Sequence, residues 1–366
     1  MKLTKYQLFW LLFTMESGMT LLIAIGPVFK EANQGAPMAV LLAGGLSVLM
    51  TLIAAKLSLL YPNDTFIEYV PKIVGKWLGY MIIMAYLILW IGVAGIVLRQ
   101  YADFVQMTLF MRTPVWVIVL FMLFVIIYAV HGGIHIIGRC SEVIGPIIVI
   151  NLVLFRLLTI KDLRPERLLP LLPAGGLIPV LKGSLPGASF LGESVMIVML
   201  IAFLAEKKRA VSSGLWSVGI AAIVLLNVTL DVLMILDNTV PAKLQYPVYA
   251  VSQYISVMEF IQNLDILLVV GTCFSVFIKI CLYMFMASYG TARLFHMQKW
   301  RNMLWITGLS VLAVALYPGN VDVTQVNFPH FWKNVVLPIF LFGIPLLLWV
   351  IGIARKYLKQ TDAKAP

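Results

Sequence analysis

Two short stretches put acidic groups where an apolar chain tolerates them least. GASFLGESVMIV (187–198) opens a long apolar run, yet it holds Gly192, Glu193 and Ser194 about two turns in. FTMESGMTLLIAIGP (13–27) holds Glu16, Ser17 and Gly18 in the middle of another such run. An acidic side chain at the centre of a bilayer costs on the order of 3 kcal/mol or more unless it is paired, protonated or facing water. Glycine and serine beside it weaken the helix. Where a helix is interrupted, its backbone N–H and C=O groups leave the ladder and can hold a carboxylate, an ammonium or an ion. A second reading is close helix approach over Gly and Ser, with each Glu paired locally. The two Glu-Ser groups fall at corresponding places five apolar runs apart. Interrupted helices at matching places in two halves are a pointer to a transporter-type binding site, which favours the binding reading.

Lys279, in VFIKICLYMF, lies within another apolar run. A buried lysine needs a carboxylate, a cage of carbonyls or deprotonation. Glu16, Glu142 and Glu193 are the candidate partners, and its ammonium could also replace a structural sodium ion between the first and eighth spans. Snorkelling to the membrane edge is the alternative, weakened by the distance to the next basic residue, Arg293. Asp231, Arg99 and Asp103 stand nearer span ends and read as interfacial. His131 and His135, spaced i, i+4, could share a metal, but no further ligand is placed beside them, so no metal is expected. No Walker A loop, zincin motif or nucleophile elbow is present, and the chain reads as neither an enzyme nor the holder of a cofactor.

The elements that carry these groups follow from composition. Of 366 residues, 61% are hydrophobic and only 12% charged, against about 25% charged in soluble domains. Mean hydropathy is +0.98. The apolar runs lack period-2 alternation, so they are membrane-spanning helices and not barrel strands. Ten spans are predicted, at about 6–29, 37–60, 77–107, 114–132, 141–159, 184–205, 212–236, 264–290, 302–317 and 334–354. The apolar run after Lys2 and Lys5 contains Glu16 and leads to Gly26-Pro27 without a small-residue cleavage pattern, so it reads as a retained span. The net charge of +11 comes in short clusters between spans. That is the positive-inside pattern and not a nucleic-acid footprint. It places both termini in the cytoplasm, although Lys161, Arg164, Arg167 and Lys182 then fall on the outer side. Three cysteines in apolar context, Cys140, Cys273 and Cys281, make no disulfide framework. The outer segments 164–184 and 246–265 are expected to pack, the first as a lid-like loop and the second across the outer mouth or in the interface.

Several strings, in order, resemble one family. They are TFIEYVPKIVGKWLGY (65–80), GGIHIIGRCSEVIGP (132–146), LLPLLPAGG (168–176) followed by Gly-Glu-Ser, Tyr-Pro (246–247), EFIQNLD (259–265), and Lys279 with Tyr283. Together they resemble the B subunit of spore germinant receptors, within the amino acid–polyamine–organocation permease superfamily. Three places depart from the family pattern. His135 replaces a common acidic residue, Gln262-Asn263 replace a common basic one, and Ala36-Pro37 open the second span where Asp and Trp are common.

The resemblance implies an all-α, LeuT-like fold of five spans and five inverted spans, with broken first and sixth helices. The whole chain would be a single transmembrane domain, with one repeat over about 6–159 and the other over about 184–354. A midplane pocket would be lined by Met15, Glu16, Ser17, Gly18, Met19, Trp90, Gly92, Ser189, Phe190, Leu191, Gly192, Glu193, Thr272 and Ser275. The implied setting is the spore inner membrane, with A and C partner subunits and a small nutrient ligand such as an amino acid. A proton-coupled amino acid permease of the same fold is the alternative function. A purely structural membrane scaffold is a third.

Overall fold

The computed structural model describes residues 2–170, 173, 175–254, 265–319 and 323–362. Among these, seven helices are long and apolar enough to cross a membrane, and 115–131 and 300–316 are shorter apolar helices. The first span brings the count to ten, but it is divided into Lys5–Glu16, Met19–Ile23 and Ile25–Ala32. A turn at Asn33, with φ of 47°, joins it to the second span, Ala36–Leu60. The third span, Lys76–Thr108, is long, as its apolar run predicts. The fourth is Val115–His131. The fifth starts at Ile134, not near 141, because IHIIGRC continues the helix with His135 and Arg139 on it.

The sixth span runs Leu177–Leu191, tightens to 3-10 geometry over Gly192–Met196, and ends through Ile197–Leu200 and Ile201–Phe203. The seventh is Ala210–Leu236, the eighth Asp265–Leu294 and the ninth Met303–Leu316. The tenth holds π-helical turns at 323–327 and 332–343, the second containing Pro338, before Ile344–Asp362. A π turn leaves ladder groups offset, as inserted prolines often require.

The first and sixth spans sit deepest. Every residue from Leu11 to Gly26 is buried, as is every residue from Pro186 to Ile201. They run antiparallel. Leu3, just before the first span, donates to Phe203 O at 2.8 Å and accepts from Ala205 N at 2.9 Å, at the far end of the sixth. Spans three, four, five, seven and nine expose their outward faces, as lipid-facing helices do: Trp77, Phe121, Ile150, Trp216 and Leu309 are all exposed.

The described parts of the two segments expected on the outer side pack. Arg167 donates to Met234 O at 3.3 Å and also to Ile235 O, while Gln34 Nε2 donates to Arg167 O at 2.5 Å. Pro247–Tyr254 is a short helix with Val248 and Val251 buried, seated on the ends of the first, seventh and eighth spans. The rest of the amphipathic segment, 255–264, with Gln262-Asn263, lies outside the described residues.

Candidate functional site

The first span stops at Glu16 because the chain turns. Ser17 N donates back to Thr14 O at 3.3 Å, its hydroxyl donates to Phe13 O at 2.7 Å, and Gly18 takes φ −109°, ψ −91° before the helix restarts at Met19. The first amides of the restarted helix have no intrahelical acceptor, as at any helix start. Gly18 is also a contact: a Cβ there would stand 2.2 Å from Ser275 Oγ and 2.4 Å from its Cβ. Ser275 donates to Thr14 O. Break and close approach therefore coexist at one residue.

The sixth span winds more tightly at Gly192 and does not open. Carbonyls in the helical turns on either side of it accept from neighbouring side chains. Trp332 Nε1 donates to Ser189 O at 2.9 Å, Ser47 to Ala188 O at 3.4 Å, and Ser58 to Val198 O at 3.1 Å. Thr51 and Ser194 hydroxyls meet at 2.6 Å.

Between these segments lies a charged centre. Lys279 Nζ stands 3.0 Å from Glu193 Oε1, and Tyr283 OH donates to Glu193 Oε2 at 2.5 Å. Lys279 and Tyr283 are one turn apart on the eighth span, so both reach the same carboxylate. Glu193 is 2% exposed and Lys279 1%, which excludes snorkelling. Glu142 is engaged elsewhere, accepting from Gln7 Nε2 at 3.1 Å. Glu16 is 1% exposed, and neither of its oxygens makes a hydrogen bond among the described residues. It lies within electrostatic reach of Glu193 and Lys279, with the Ser194 amide facing it short of hydrogen-bond geometry.

Four of the fourteen predicted pocket residues line two separate small cavities, and the other ten line neither. One, of about 30 Å³, takes Ser17 and Thr272 with Leu22, Asn151, Phe155 and Leu268. The other, of about 20 Å³, takes Trp90 and Glu193 with Tyr86, Tyr283, Trp332 and Leu341. Met15, Met19, Ser189, Phe190 and Leu191 are buried packing around them. Gly92 lines neither cavity. A wider vestibule of about 220 Å³ opens on the face away from the N-terminus, between Pro186, Gln325 and His330, and Lys333 pairs with Glu31 across it at 2.9 Å.

The charged groups near span ends are paired. Asp231 is buried, 2% exposed, in an ion pair with Arg156 of the fifth span, and Arg99 pairs with Asp103 at 2.8 Å with side chains 13% and 9% exposed. Arg156, Tyr86 and Trp332 were not legible as site residues. Aromatics are common in this chain, and nothing in spacing links residues so far apart in sequence. The described residues hold no cluster of three or more potential metal ligands, around His131 and His135 or elsewhere.

Among the described residues, ten spans built around two deep antiparallel ones, the first interrupted and the sixth tightened beside a buried charged centre, define a permease-type membrane protein of the LeuT fold. Solved structures carry the same fold. MhsT in complex with L-phenylalanine superimposes with a TM-score of 0.67 over 96% of this chain and 89% of that one, at 13% identity. Mhp1, a nucleobase-cation-symport-1 family transporter in a closed conformation, gives 0.57 over 96% and 90%, at 12% identity. The family model described as spore germination protein matches residues 2–322, and the chain belongs to that family. Spore germination protein KB of Bacillus subtilis (strain 168) is 26% identical over 97% of this chain and 95% of its own length. YndE of the same organism is 34% identical over 50% of each chain, and spore germination protein A2 is 26% identical over 80% of this chain and 78% of its own. The chain is accordingly a multi-pass membrane protein with a germinant-receptor or permease-like role.

Proposed function

We propose that this chain is the nutrient-binding B subunit of a spore germinant receptor. It would sit in the spore inner membrane with both termini cytoplasmic and act with A and C subunits. A small ligand, an amino acid before other classes, would bind near the midplane between the interrupted first span and the tightened sixth. Met15 to Met19, Ser189 to Glu193, Trp90, Gly92, Thr272 and Ser275 are the proposed contact set, and Lys279 would stand in for a structural cation. The two repeats are assigned to about 6–159 and 184–354.

One observation carries this reading. A buried Glu193–Lys279–Tyr283 cluster, beside a Glu16 whose carboxylate makes no hydrogen bond among the described residues, lies where the two deepest spans are irregular. Ionisable groups inside a membrane protein mark a functional site by default. The cavities of about 20 and 30 Å³ describe a closed state. A ligand would act by favouring a more open one, and partner subunits would read that shift.

The test follows labelled amino acids in liposomes containing the purified protein, measuring saturable occupancy and luminal accumulation together. Occupancy that saturates without accumulation supports a sensor. Accumulation that scales with lumen volume makes the protein a permease instead. Neither outcome, with germination still lost in surface variants and kept in pocket variants, would make it a scaffold.

A further inference from the structure

The wider vestibule, on the face away from the N-terminus, shares no residue with the nutrient contact set. Its volume is about 220 Å³, against about 30 and 20 Å³ for the cavities beside Ser17 and Glu193. Those two have room for a water-sized group, whereas the vestibule can take a molecule of several heavy atoms. Its walls come from the ends of the first, sixth and tenth spans and from Ala242. Pro27, Pro186, Pro329, Ala242 and Val326 give them an apolar surface.

The polar lining is unbalanced. Lys30, Lys333 and His330 stand against one carboxylate, Glu31. Glu31 is committed to Lys333 at 2.9 Å, and Lys30 forms no ion pair among the described residues. Gln325 is engaged as well, its Nε2 donating to Tyr246 OH at 2.9 Å. The segment 161–182, on the same face, adds Lys161, Arg164, Arg167 and Lys182, with only Asp162 and Glu166 against them. An excess of positive charge around an opening with apolar walls draws anions toward it.

The ion pair at this opening is exchangeable. The side chains of Lys333 and Glu31 are 15% and 33% exposed, so water reaches both, and parting them strands neither in an apolar interior. We propose that the vestibule binds a small soluble carboxylate, whose charged group takes the place of Glu31 on Lys333 and is shared with Lys30. Its apolar body then lies against Pro27, Pro186 and Pro329. Glu31 turns out to water, so the ligand needs no amino group to balance it. This site stands or falls independently of the nutrient-binding reading above.

The experiment uses the purified full-length protein in phosphatidylcholine nanodiscs and the probe 4-fluorobenzoate, which carries a carboxylate and no amino group. Fluorine NMR line broadening titrates the probe to an apparent Kd, with 4-fluorobenzamide as the uncharged match. The benzoate is expected to bind saturably and the benzamide not at all. Lys30→Gln and Lys333→Gln should each weaken the benzoate at least threefold, and Lys30→Arg should keep its affinity. Lys30 is exposed, so its variants are expected to fold as the parent does. Glu31→Gln should tighten the benzoate at least threefold, because Lys333 is then free before the probe arrives. A benzoate that does not bind, or a benzamide that binds equally well, overturns the proposal. So does a Glu31→Gln variant with weaker or unchanged affinity, since the carboxylate then does not compete for Lys333. Each of these results leaves the nutrient site untouched, because the two share no residue.

Discussion

The Glu193–Lys279 pair is 86 residues apart in the chain and 3.0 Å apart in space. That the bilayer would force each residue to find a partner was readable in the sequence, because an unpaired charge there costs too much to persist. Which partner was not readable, since Glu16, Glu142 and Glu193 were equal candidates until the eighth span was placed. Replacing Lys279 by Met should destabilise the protein by about 3–5 kcal/mol, as removing one member of a buried pair does. Combining it with Glu193→Gln should cost less than the two single changes added together. Thermal midpoints of the four proteins in detergent give the comparison, and strict additivity would mean that the pair is not coupled. Glu193→Gln alone keeps an acceptor for Lys279 and Tyr283. It should shift the germination dose–response at least several-fold without lowering the amount of protein in the membrane; an unchanged dose–response would remove Glu193 from the binding site.

At the scale of the element, the two irregular spans differ although their sequences look alike. Glu16-Ser17-Gly18 gives a true interruption, with Gly18 seated against Ser275. Gly192-Glu193-Ser194 gives a tighter helical turn whose neighbouring carbonyls are capped from the second and tenth spans. Similar triplets behave differently because side chains from other spans decide whether freed backbone groups stay free. Gly18→Ala should drive the first and eighth spans apart, since the added Cβ would overlap the Ser275 side chain, at 2.2 Å from its Oγ. A loss of several degrees in thermal midpoint is expected, and Ser275→Gly in the same protein should recover part of it. If Gly18→Ala is as stable as the parent, close packing is not what the glycine provides. Arg156→Leu should likewise lower the midpoint by leaving Asp231 buried and unpaired, and Arg156→Leu with Asp231→Leu should recover it.

At the scale of the whole molecule, the face that carries the N-terminus is tied together beside a pocket of about 540 Å³ at Lys72 and Arg293. The backbone bridge from Leu3 to Phe203 and Ala205 ties the start of the first span to the end of the sixth. Phe203, Phe285, Tyr289 and Trp300 close around it, with ring centroids 5.2–6.2 Å apart. Opening this face requires breaking that bridge and parting those rings. Cys281, fully buried one turn before Phe285 on the eighth span, can report the opening. With Cys140 and Cys273 replaced by Ala, Leu3→Pro, which removes the amide that donates to Phe203 O, should speed the labelling of Cys281 by a water-soluble thiol reagent at least tenfold. Equal rates in the parent and the variant would show that the bridge does not hold the face closed.

Composition and apolar run length by themselves determined the class of fold, because a chain that is 61% hydrophobic and 12% charged can satisfy its backbone in a membrane only as helices. The bilayer's penalty on charge likewise singled out Glu16, Glu193 and Lys279 from residue type and position in an apolar run. The ordered motifs pointed to the family. Tertiary structure alone decided the pairings: Lys279 with Glu193, Arg156 with Asp231, Trp332 with the Ser189 carbonyl, and the aromatic wall drawn from the third, eighth and tenth spans. Those depend on helix rotation and crossing, which small residues such as Gly18 set by contact, and a linear pattern of hydropathy holds no record of which face meets which.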